Sequence, residues 1–523
     1  MQHASVPGTI PTWSLPIRAK PWWGREITFS SGTLLVGIVL LALALRLALL
    51  GQNSLWFDEA FVAYVAHKGW SSIPPFLRLV DAHPPFYYLL AKAWTQYAGT
   101  GEVALRIPSA CFSTASVLLT YALARRIGSE QTAVLAALFT ATAPLQIMSG
   151  QDARMYSLLG ALSVASTLLL ATSVEKGGVR WVAYASVTVL LAYTHYLGIL
   201  VMVAQGLWVL CCQRRHLGAW ALAAITVALV YLPWVPSLWF QLSDGHGWAW
   251  YRDRVSLASL ADLAGLLAFG GTLFGMGNYF GDGTAAPLVE IALTLPFILL
   301  LLAGAWHLRS NRGRLMLIVL PLVVPVASVF AVSLVKPMFY ARWFSFVGPF
   351  FSVLLALGIY AVGEAVRRWR DRVVAVLIVC VLGLQIPALG KYYLDPAARP
   401  YDWRAAAGIV QKYAHPGDFI LYVSVESQIA LSYYLGEPYP SLTINPIETV
   451  SRGDRRPVFT AVQARRLAAK HARVWVVTTA PVTPAMQRRL HAALDPVYWP
   501  VAHLGFGYVW VTLVQRRSTA ARQ

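Results

Sequence analysis

Charge is what this sequence has least of. Only 12% of its 523 residues are Asp, Glu, Lys or Arg, against 57% hydrophobic residues, a balance that excludes a disordered or heavily solvated chain. Cysteine is scarce as well. Cys111, Cys211, Cys212 and Cys380 all fall inside apolar stretches, which excludes a disulfide scaffold or a cysteine zinc site and leaves four packing residues. No HExxH spacing fixes a catalytic metal, and the C-terminal region has no glycine-rich phosphate loop, so nucleotide binding is not indicated.

What is present is a series of apolar runs. Stretches near 20 residues with almost no charge recur from Leu34 to Leu389, more than a soluble core can bury. They predict spanning helices near 32–50, 105–124, 131–149, 155–174, 180–195, 196–213, 218–241, 286–306, 315–335, 343–363 and 373–389. The first follows Arg18, Lys20 and Arg25 without a small-residue cleavage site, and reads as an uncleaved helix with a cytosolic N-terminus.

The cations follow the helix ends. Arg125 and Arg126, Lys176 and Arg180, Arg214 and Arg215, Arg309, Arg312 and Arg314, and Arg367, Arg368, Arg370 and Arg372 mark every inward turn. With the N-terminal three they make 16 cations against five acids, so +11 of the chain's net +19 lies on one side. Positive-inside bias then orients the bundle and places the C-terminus outside. The basicity is a topology signal, and no nucleic-acid partner is implied.

Three regions follow: a cytosolic segment 1–31, a transmembrane module 32–390 with outer loops 51–104 and 243–285, and an outer domain 391–523. In the first loop, Phe86–Tyr97 is too short to span and reads as an interfacial helix; in the second, 256–268 reads as an amphipathic one. The outer domain alternates strand-like runs (Asp418–Val423, Arg473–Thr478, Tyr508–Val514) with helix-like runs (Ser427–Leu435, Thr483–Leu494). That pattern predicts a small α/β domain. The fold class is an α-helical polytopic membrane protein of about eleven spans with an extracytoplasmic α/β domain.

Ionisable groups near a bilayer are costly, and here they gather on one side. Asp58 and Glu59 follow the first helix, His83 opens the interfacial helix, Asp152 and Arg154 lie between helices three and four, His195 between five and six, and Lys336 and Arg342 between nine and ten. A transporter would place such charges near the midplane on repeated helices. A rim that is half lipid and half water suits an enzyme with one lipid-borne substrate and one aqueous one.

The residues Leu55-Trp56-Phe57-Asp58-Glu59-Ala60, His83-Pro84-Pro85-Phe86-Tyr87-Tyr88-Leu89-Leu90, Arg106-Ile107-Pro108-Ser109, Gln151-Asp152-Ala153-Arg154-Met155-Tyr156 and Thr194-His195-Tyr196 carry a resemblance. Over roughly residues 34–390, the chain resembles the bacterial GT-C glycosyltransferases, in the branch of the lipid A galacturonosyl and aminoarabinosyl transferases and the protein O-mannosyltransferases. The resemblance implies an enzyme of the bacterial inner membrane, with its C-terminal domain in the periplasm. It moves a sugar from a polyprenyl-phosphate donor to a hydroxyl of a lipid, glycan or protein, inverting the anomeric carbon. It also implies that an acid of the first outer loop is catalytic. Asp152 departs from the glutamate common in relatives.

Chemistry assigns the roles. A sugar hydroxyl attacks poorly, so a carboxylate within hydrogen-bond reach takes its proton. Asp58 is the expected base, and Glu59, about 100° round a helix, would face elsewhere. The leaving phosphate gains charge, so donors there stabilise the transition state. Expected substrate-binding residues are His83, Asp152, Arg154, Tyr156, His195, Tyr196, Lys336, Tyr340 and Arg342. Asp58, Glu59, Asp152, His83 and His195 are also ligand types for a divalent metal, so a metal cofactor is left open. A ligase using a polyprenyl-diphosphate donor and a sugar-lipid flippase are the alternatives.

Overall fold

The computed structural model describes residues 17–19, 27–244, 255–270, 288–395, 401–436, 439–444, 459–479 and 484–517. Most of the basic N-terminal segment and of the loop 243–285 lies outside these ranges.

Every predicted span is helical. In chain order they are α1 (Ser31–Leu47), α5 (Glu102–Ile127), α6 with α7 (Glu130–Thr142 and Pro144–Gly150), α8 (Tyr156–Lys176), α9 (Arg180–Thr194), α10 (Leu197–Cys212), α11 with α12 (Leu217–Tyr231 and Val235–Asp244), α14 (Leu288–His307), α15 (Arg312–Ser333), α16 (Gly348–Ala365) and α17 (Arg370–Leu394). By length and composition, six of the described helices suffice to cross a membrane, or seven if α6 and α7, bent by 58°, count as one span. The others are shorter, and the eleven-span count is not fixed by these criteria.

Burial sorts the helices. α8 and α16 are packed on nearly all sides, whereas α11, α14 and α17 turn Leu222, Ile225, Leu229, Leu295, Leu299, Val376 and Val379 outward. Apolar side chains exposed along whole helices are what a lipid solvent permits. The protein is a multi-pass membrane protein. α14 crosses α16 through facing glycines: a Cβ on Gly358 would lie 1.9 Å from the Leu300 carbonyl oxygen and one on Gly304 2.3 Å from that of Leu354. Only hydrogen fits at that crossing.

The first loop folds into α2 (Phe57–Ala66), α3 (Ile73–Val80) and α4 (Phe86–Ala98). The helix expected to lie on the surface in the second loop is α13 (Leu257–Phe269), and it differs from expectation. Leu263, Leu266, Leu267 and Phe269 are buried, and it packs on α14 and α17. Its one charged residue, Asp262, is too little to make a polar face.

Beyond α17 the chain builds α18 (Trp403–Tyr413), β3 (Phe419–Tyr422), α19 (Val425–Leu435), β4 (Ser441–Thr443), α20 (Ala461–Lys470), β5 (Arg473–Thr479), α21 (Pro484–Leu494), β6 (Tyr498–Phe506) and β7 (Val509–Arg516); a separate pair near the N-terminus forms β1 (Ile17–Ala19) and β2 (Ile27–Phe29). The five-stranded sheet has the order β4-β3-β5-β7-β6, with β3 parallel to β4 and β5 and with β7 antiparallel to both its neighbours. Strand β6 was not anticipated. Its pairing slips between Pro500 and Ala502, which breaks the alternation that marks a strand. One sheet face, with Trp475, Val477, Val511 and Leu513, joins the core shared with the bundle, and the other buries Val474, Val476 and Val514 against α20 and α21.

Candidate active site

The site is assembled from the ends of helices at the edge of the bundle that the sheet domain touches. Helix α2 begins at Trp56, and its first turn carries both acids, which favours the helix dipole. They diverge as the 100° offset requires. The Glu59 side chain is 2% exposed and that of Asp58 17%. Glu59 takes two bonds from Arg106, at 2.7 Å from Nε and 2.6 Å from Nη2, and one from the Ala153 N–H at 2.9 Å. Arg106 spends its remaining donors on the Leu50, Asn53 and Ser54 carbonyls. Every N–H of the Arg106 guanidinium and both Glu59 oxygens are thereby engaged.

Asp58 faces the other way. Its Oδ2 accepts from Arg342 Nη2 at 2.9 Å and stands 3.8 Å from Arg154 Nε. The short helix Ala341–Val347, a run of 3-10 geometry, delivers Arg342 between two aromatic rings, its guanidinium carbon 4.3 Å from the Trp56 centroid and 4.4 Å from that of Tyr340. Cation–π contact with both rings favours the guanidinium there.

The turn from α7 to α8 ties the parts together. Gln151 Nε2 donates to the Leu45, Arg46 and Ala48 carbonyls and so closes the end of α1. Asp152 accepts from Trp56 Nε1 at 3.1 Å. Burial and the nearby Glu59 charge hold the Asp152 carboxyl well above the usual carboxylate range. Arg154 donates through Nη1 to Tyr88 Oη at 2.8 Å, and that hydroxyl passes its own proton bond to Asp81 Oδ2 at 2.5 Å. Asp81 also meets His83 Nδ1 at 2.9 Å. Burial pushes the Asp81 carboxyl up, but His83, Arg154 and Tyr88 outweigh it and hold it at about 2.

The histidine rings close the far wall. The centroid of His195 lies 4.9 Å from that of His83, 6.2 Å from Tyr156 and 6.1 Å from Trp343. The Leu197 N–H donates to His195 Nδ1 at 3.1 Å, which leaves the ring proton on Nε2. That nitrogen, Arg154 Nε and Tyr156 Oη are all buried without a hydrogen-bond partner among the described residues. Buried unmet donors are rare and costly. These three, one of them from the Arg154 guanidinium itself, lie near the Arg342 guanidinium, an arrangement suited to an anion.

Of the expected site residues, Asp58, His83, Asp152, Arg154, Tyr156, His195, Tyr340 and Arg342 come together. Two do not join them. Lys336 donates to the Leu242 carbonyl at 3.1 Å, at the exposed end of α15. The Tyr196 hydroxyl donates to Gln241 of α12 and receives Trp234 Nε1 at 3.1 Å, while Gln241 Nε2 donates to the Leu77 carbonyl of α3, so Tyr196 fixes the residue that ties α12 to α3. Glu59 belongs to the matched pocket behind the site. Trp56, Asp81, Tyr88 and Arg106 were not singled out; Asp81 sits two residues before His83 and Tyr88 five after it, a local signal.

The carboxylates are already balanced within the protein: Asp58 by arginine, Glu59 by Arg106, Asp81 by His83 and Tyr88. Among the described residues no three His, Cys, Asp or Glu side chains converge to hold a metal ion.

Comparison with known proteins bears on the fold. The profile of the dolichyl-phosphate-mannose-protein mannosyltransferase family matches residues 82–240, and no curated protein matches the chain by sequence. Among solved structures, ArnT from Cupriavidus metallidurans bound to undecaprenyl phosphate superposes with a TM-score of 0.60 at 16% identity, over 92% of this chain and 98% of that one. This chain has the fold of the GT-C membrane glycosyltransferases. The GT-C fold is also seen in the match to the Archaeoglobus fulgidus oligosaccharyltransferase AglB in complex with an inhibitory peptide and a dolichol-phosphate, with a TM-score of 0.55 at 12% identity over 93% of this chain and 74% of that one. The arabinofuranosyltransferase AftD from Mycobacteria matches with a TM-score of 0.52 at 15% identity, over 93% of this chain and 40% of that one.

Proposed function

We propose that the protein transfers a sugar from a polyprenyl-phosphate donor to an acceptor hydroxyl, with inversion at the anomeric carbon, at the outer face of a bacterial inner membrane. The observation that carries the reading is the trio of buried unmet donors, Arg154 Nε, Tyr156 Oη and His195 Nε2, beside a carboxylate that is partly open to solvent. A lipid phosphate satisfies all three and exchanges their desolvation cost for charge-assisted bonds.

The same phosphate competes with Asp58 for Arg342, so donor binding frees the carboxylate. Asp58 then takes the proton of the acceptor O–H as the acceptor oxygen attacks the anomeric carbon. The bond from that carbon to the phosphate oxygen breaks, its electron pair stays on the phosphate, and attack from the opposite side inverts the centre. Arg154, Arg342, His195 and Tyr156 stabilise the growing phosphate charge more than the ground state. The donor is already activated, so no ATP is needed.

Relatives in fold support the lipid donor, since ArnT is bound to undecaprenyl phosphate and AglB to a dolichol-phosphate. The outward assignment is supported by the net +11 of the N-terminal segment and the helix ends opposite the site; on this reading the sheet domain lies in the periplasm. The test uses the full chain in lipid nanodiscs with radiolabelled undecaprenyl-monophosphate and undecaprenyl-diphosphate sugars side by side, together with mass spectrometry of envelope glycans from cells with active protein or Asp58→Asn. Consumption of the monophosphate donor and a sugar-sized mass difference are expected. Identical envelope masses in the two cell types, or turnover of the diphosphate donor alone, would overturn the reading.

A further inference from the structure

One face of the five-stranded sheet is only partly covered. Helix α21 turns Gln487, Leu490, His491 and Leu494 toward it, the i, i+3, i+4, i+7 spacing of a single helix face. Leu490 and Leu494 are buried with Val476 and Val514 of the sheet, whereas Gln487 and His491 stay exposed. Between helix and sheet lies a cavity of about 820 Å³, within the roughly 300–1,000 Å³ of small-molecule sites. Above its apolar floor stand neutral groups that both donate and accept, the Thr478 and Thr512 hydroxyls and the Gln487 amide. Strand residues alternate between faces, and Val477, Val511 and Leu513 on the opposite one join the bundle. The cavity therefore looks away from the bundle and from the Asp58 pocket.

One wall is a prepared aromatic surface. Trp510 of β7 is 38% exposed and lies across β6, where it pairs with Gly505. A Cβ on Gly505 would stand 2.7, 3.0 and 3.1 Å from atoms of the indole, so the ring can lie flat only over a glycine. The His503 ring runs parallel to the indole within 7°, with centroids 5.0 Å apart, and its Nδ1 lies 2.7 Å from Thr512 Oγ1. Thr512 thus orients His503, and His503 backs Trp510. Charged groups at the rim are drawn to the protein itself. His491 Nδ1 is 3.4 Å from Asp495 Oδ1, and Arg517 Nε donates to the Asp495 and Tyr498 carbonyls.

We propose that this cleft is a saccharide-binding site, and that the chain it holds is part of the acceptor. The binding stands on the cleft's own geometry, while its assignment to the acceptor rests on the transferase reading above. A pyranose presents C–H bonds on a ring face and hydroxyls round its edge. The C–H bonds meet the electron-rich face of the indole, and the hydroxyls exchange hydrogen bonds with Thr478, Thr512 and Gln487. Because the cleft and Asp58 lie on opposite sides of the sheet, one sugar cannot occupy both. The ligand is a chain, held here by one part while another part reacts. The Leu55 N–H donates to Tyr434 Oη at 2.5 Å, Tyr433 Oη donates to the Thr100 carbonyl at 2.7 Å, and Arg404 pairs with Glu102. These ties fix the sheet domain on the bundle, so a chain held in the cleft keeps its free end near the site at a raised effective concentration.

The test presents the full chain in lipid nanodiscs, without donor, to a printed array of bacterial envelope saccharides from mono- to hexasaccharides. Wild type should retain oligosaccharides in preference to monosaccharides. Trp510→Ala removes the aromatic wall, and Gln487→Trp fills the cleft from an exposed helix position; each should weaken retention about tenfold or more. Trp510→Tyr keeps a ring and should retain the oligosaccharides that Trp510→Ala loses. The two disabling variants act from opposite walls, so a fold lost in one leaves the other as the test, with melting profiles telling the cases apart. Asp58→Asn should bind the array as wild type does. No retention of any array member by wild type, or undiminished retention in both Trp510→Ala and Gln487→Trp, overturns the site.

The second arm assigns the chain. With a radiolabelled undecaprenyl-phosphate sugar as donor, the retained oligosaccharide and a methyl glycoside of its terminal sugar are compared as acceptors. In Trp510→Ala the KM for the oligosaccharide should rise about tenfold relative to that for the glycoside. An unchanged ratio means that the cleft holds a glycan other than the acceptor, and overturns that half of the inference while array binding stands. Absence of both transfer and donor hydrolysis in wild type overturns the transferase reading, and the array still reports whether the cleft binds a saccharide.

Discussion

Glu59 and Asp58 are adjacent in sequence and sit at the boundary of two pockets built on opposite plans. Behind Glu59, Arg106 meets both carboxylate oxygens and three backbone carbonyls, so every N–H of the guanidinium and both Glu59 oxygens are engaged. In front of Asp58, Arg342 and Arg154 share one carboxylate oxygen, and among the described residues Arg154 Nε, Tyr156 Oη and His195 Nε2 have no hydrogen-bond acceptor. Residue types are nearly the same in the two pockets; satisfaction is what separates them. A closed network spends its bonds on holding α1, α2, α5 and the α7–α8 turn together, and in the proposed reading an open one reserves them for a ligand.

The comparison is broken most severely at the closed pocket. Arg106→Leu strands the Glu59 carboxylate, and Glu59→Gln strands the Arg106 guanidinium; either should cost about 3–5 kcal/mol, read as a lowered thermal or denaturant midpoint with activity lost along with the fold. At the open pocket the same kind of change should spare folding. Asp58→Asn is expected to lower turnover about 10²- to 10⁴-fold with the melting profile retained. Arg154→Ala should lower kcat about 10²- to 10³-fold and weaken donor binding, measured with a labelled polyprenyl-phosphate sugar. Arg342→Lys keeps the charge but loses the guanidinium contact with Trp56 and Tyr340, and kcat/KM should fall about tenfold. Lys336→Ala, outside both pockets, should leave stability within about 0.5 kcal/mol and turnover unchanged.

Much of this architecture was legible because its signals are local. The eleven apolar runs need only composition over a window, and the Trp56–Glu59 turn announces a helix start with two acids about 100° apart. That the two acids face different pockets follows from helix geometry alone. Which one it is depends on Arg106, 47 residues further along, and no window contains both. Lys336 and Arg342 look alike at the end of α15, yet one turns to a backbone carbonyl and the other is carried inward by the Ala341–Val347 turn. The tie of Tyr434 to Leu55 spans 379 residues. It explains why the sheet domain, which has a readable α/β texture, gave no hint in sequence that it borders the site.

The most direct test measures the affinity of purified wild type and Asp58→Asn for undecaprenyl phosphate in nanodiscs, alongside turnover of the corresponding sugar donor. If the phosphate and Asp58 compete for Arg342 within one pocket, the variant binds the lipid phosphate more tightly than wild type while losing turnover. Weaker binding in the variant, or turnover equal to wild type, would contradict the account.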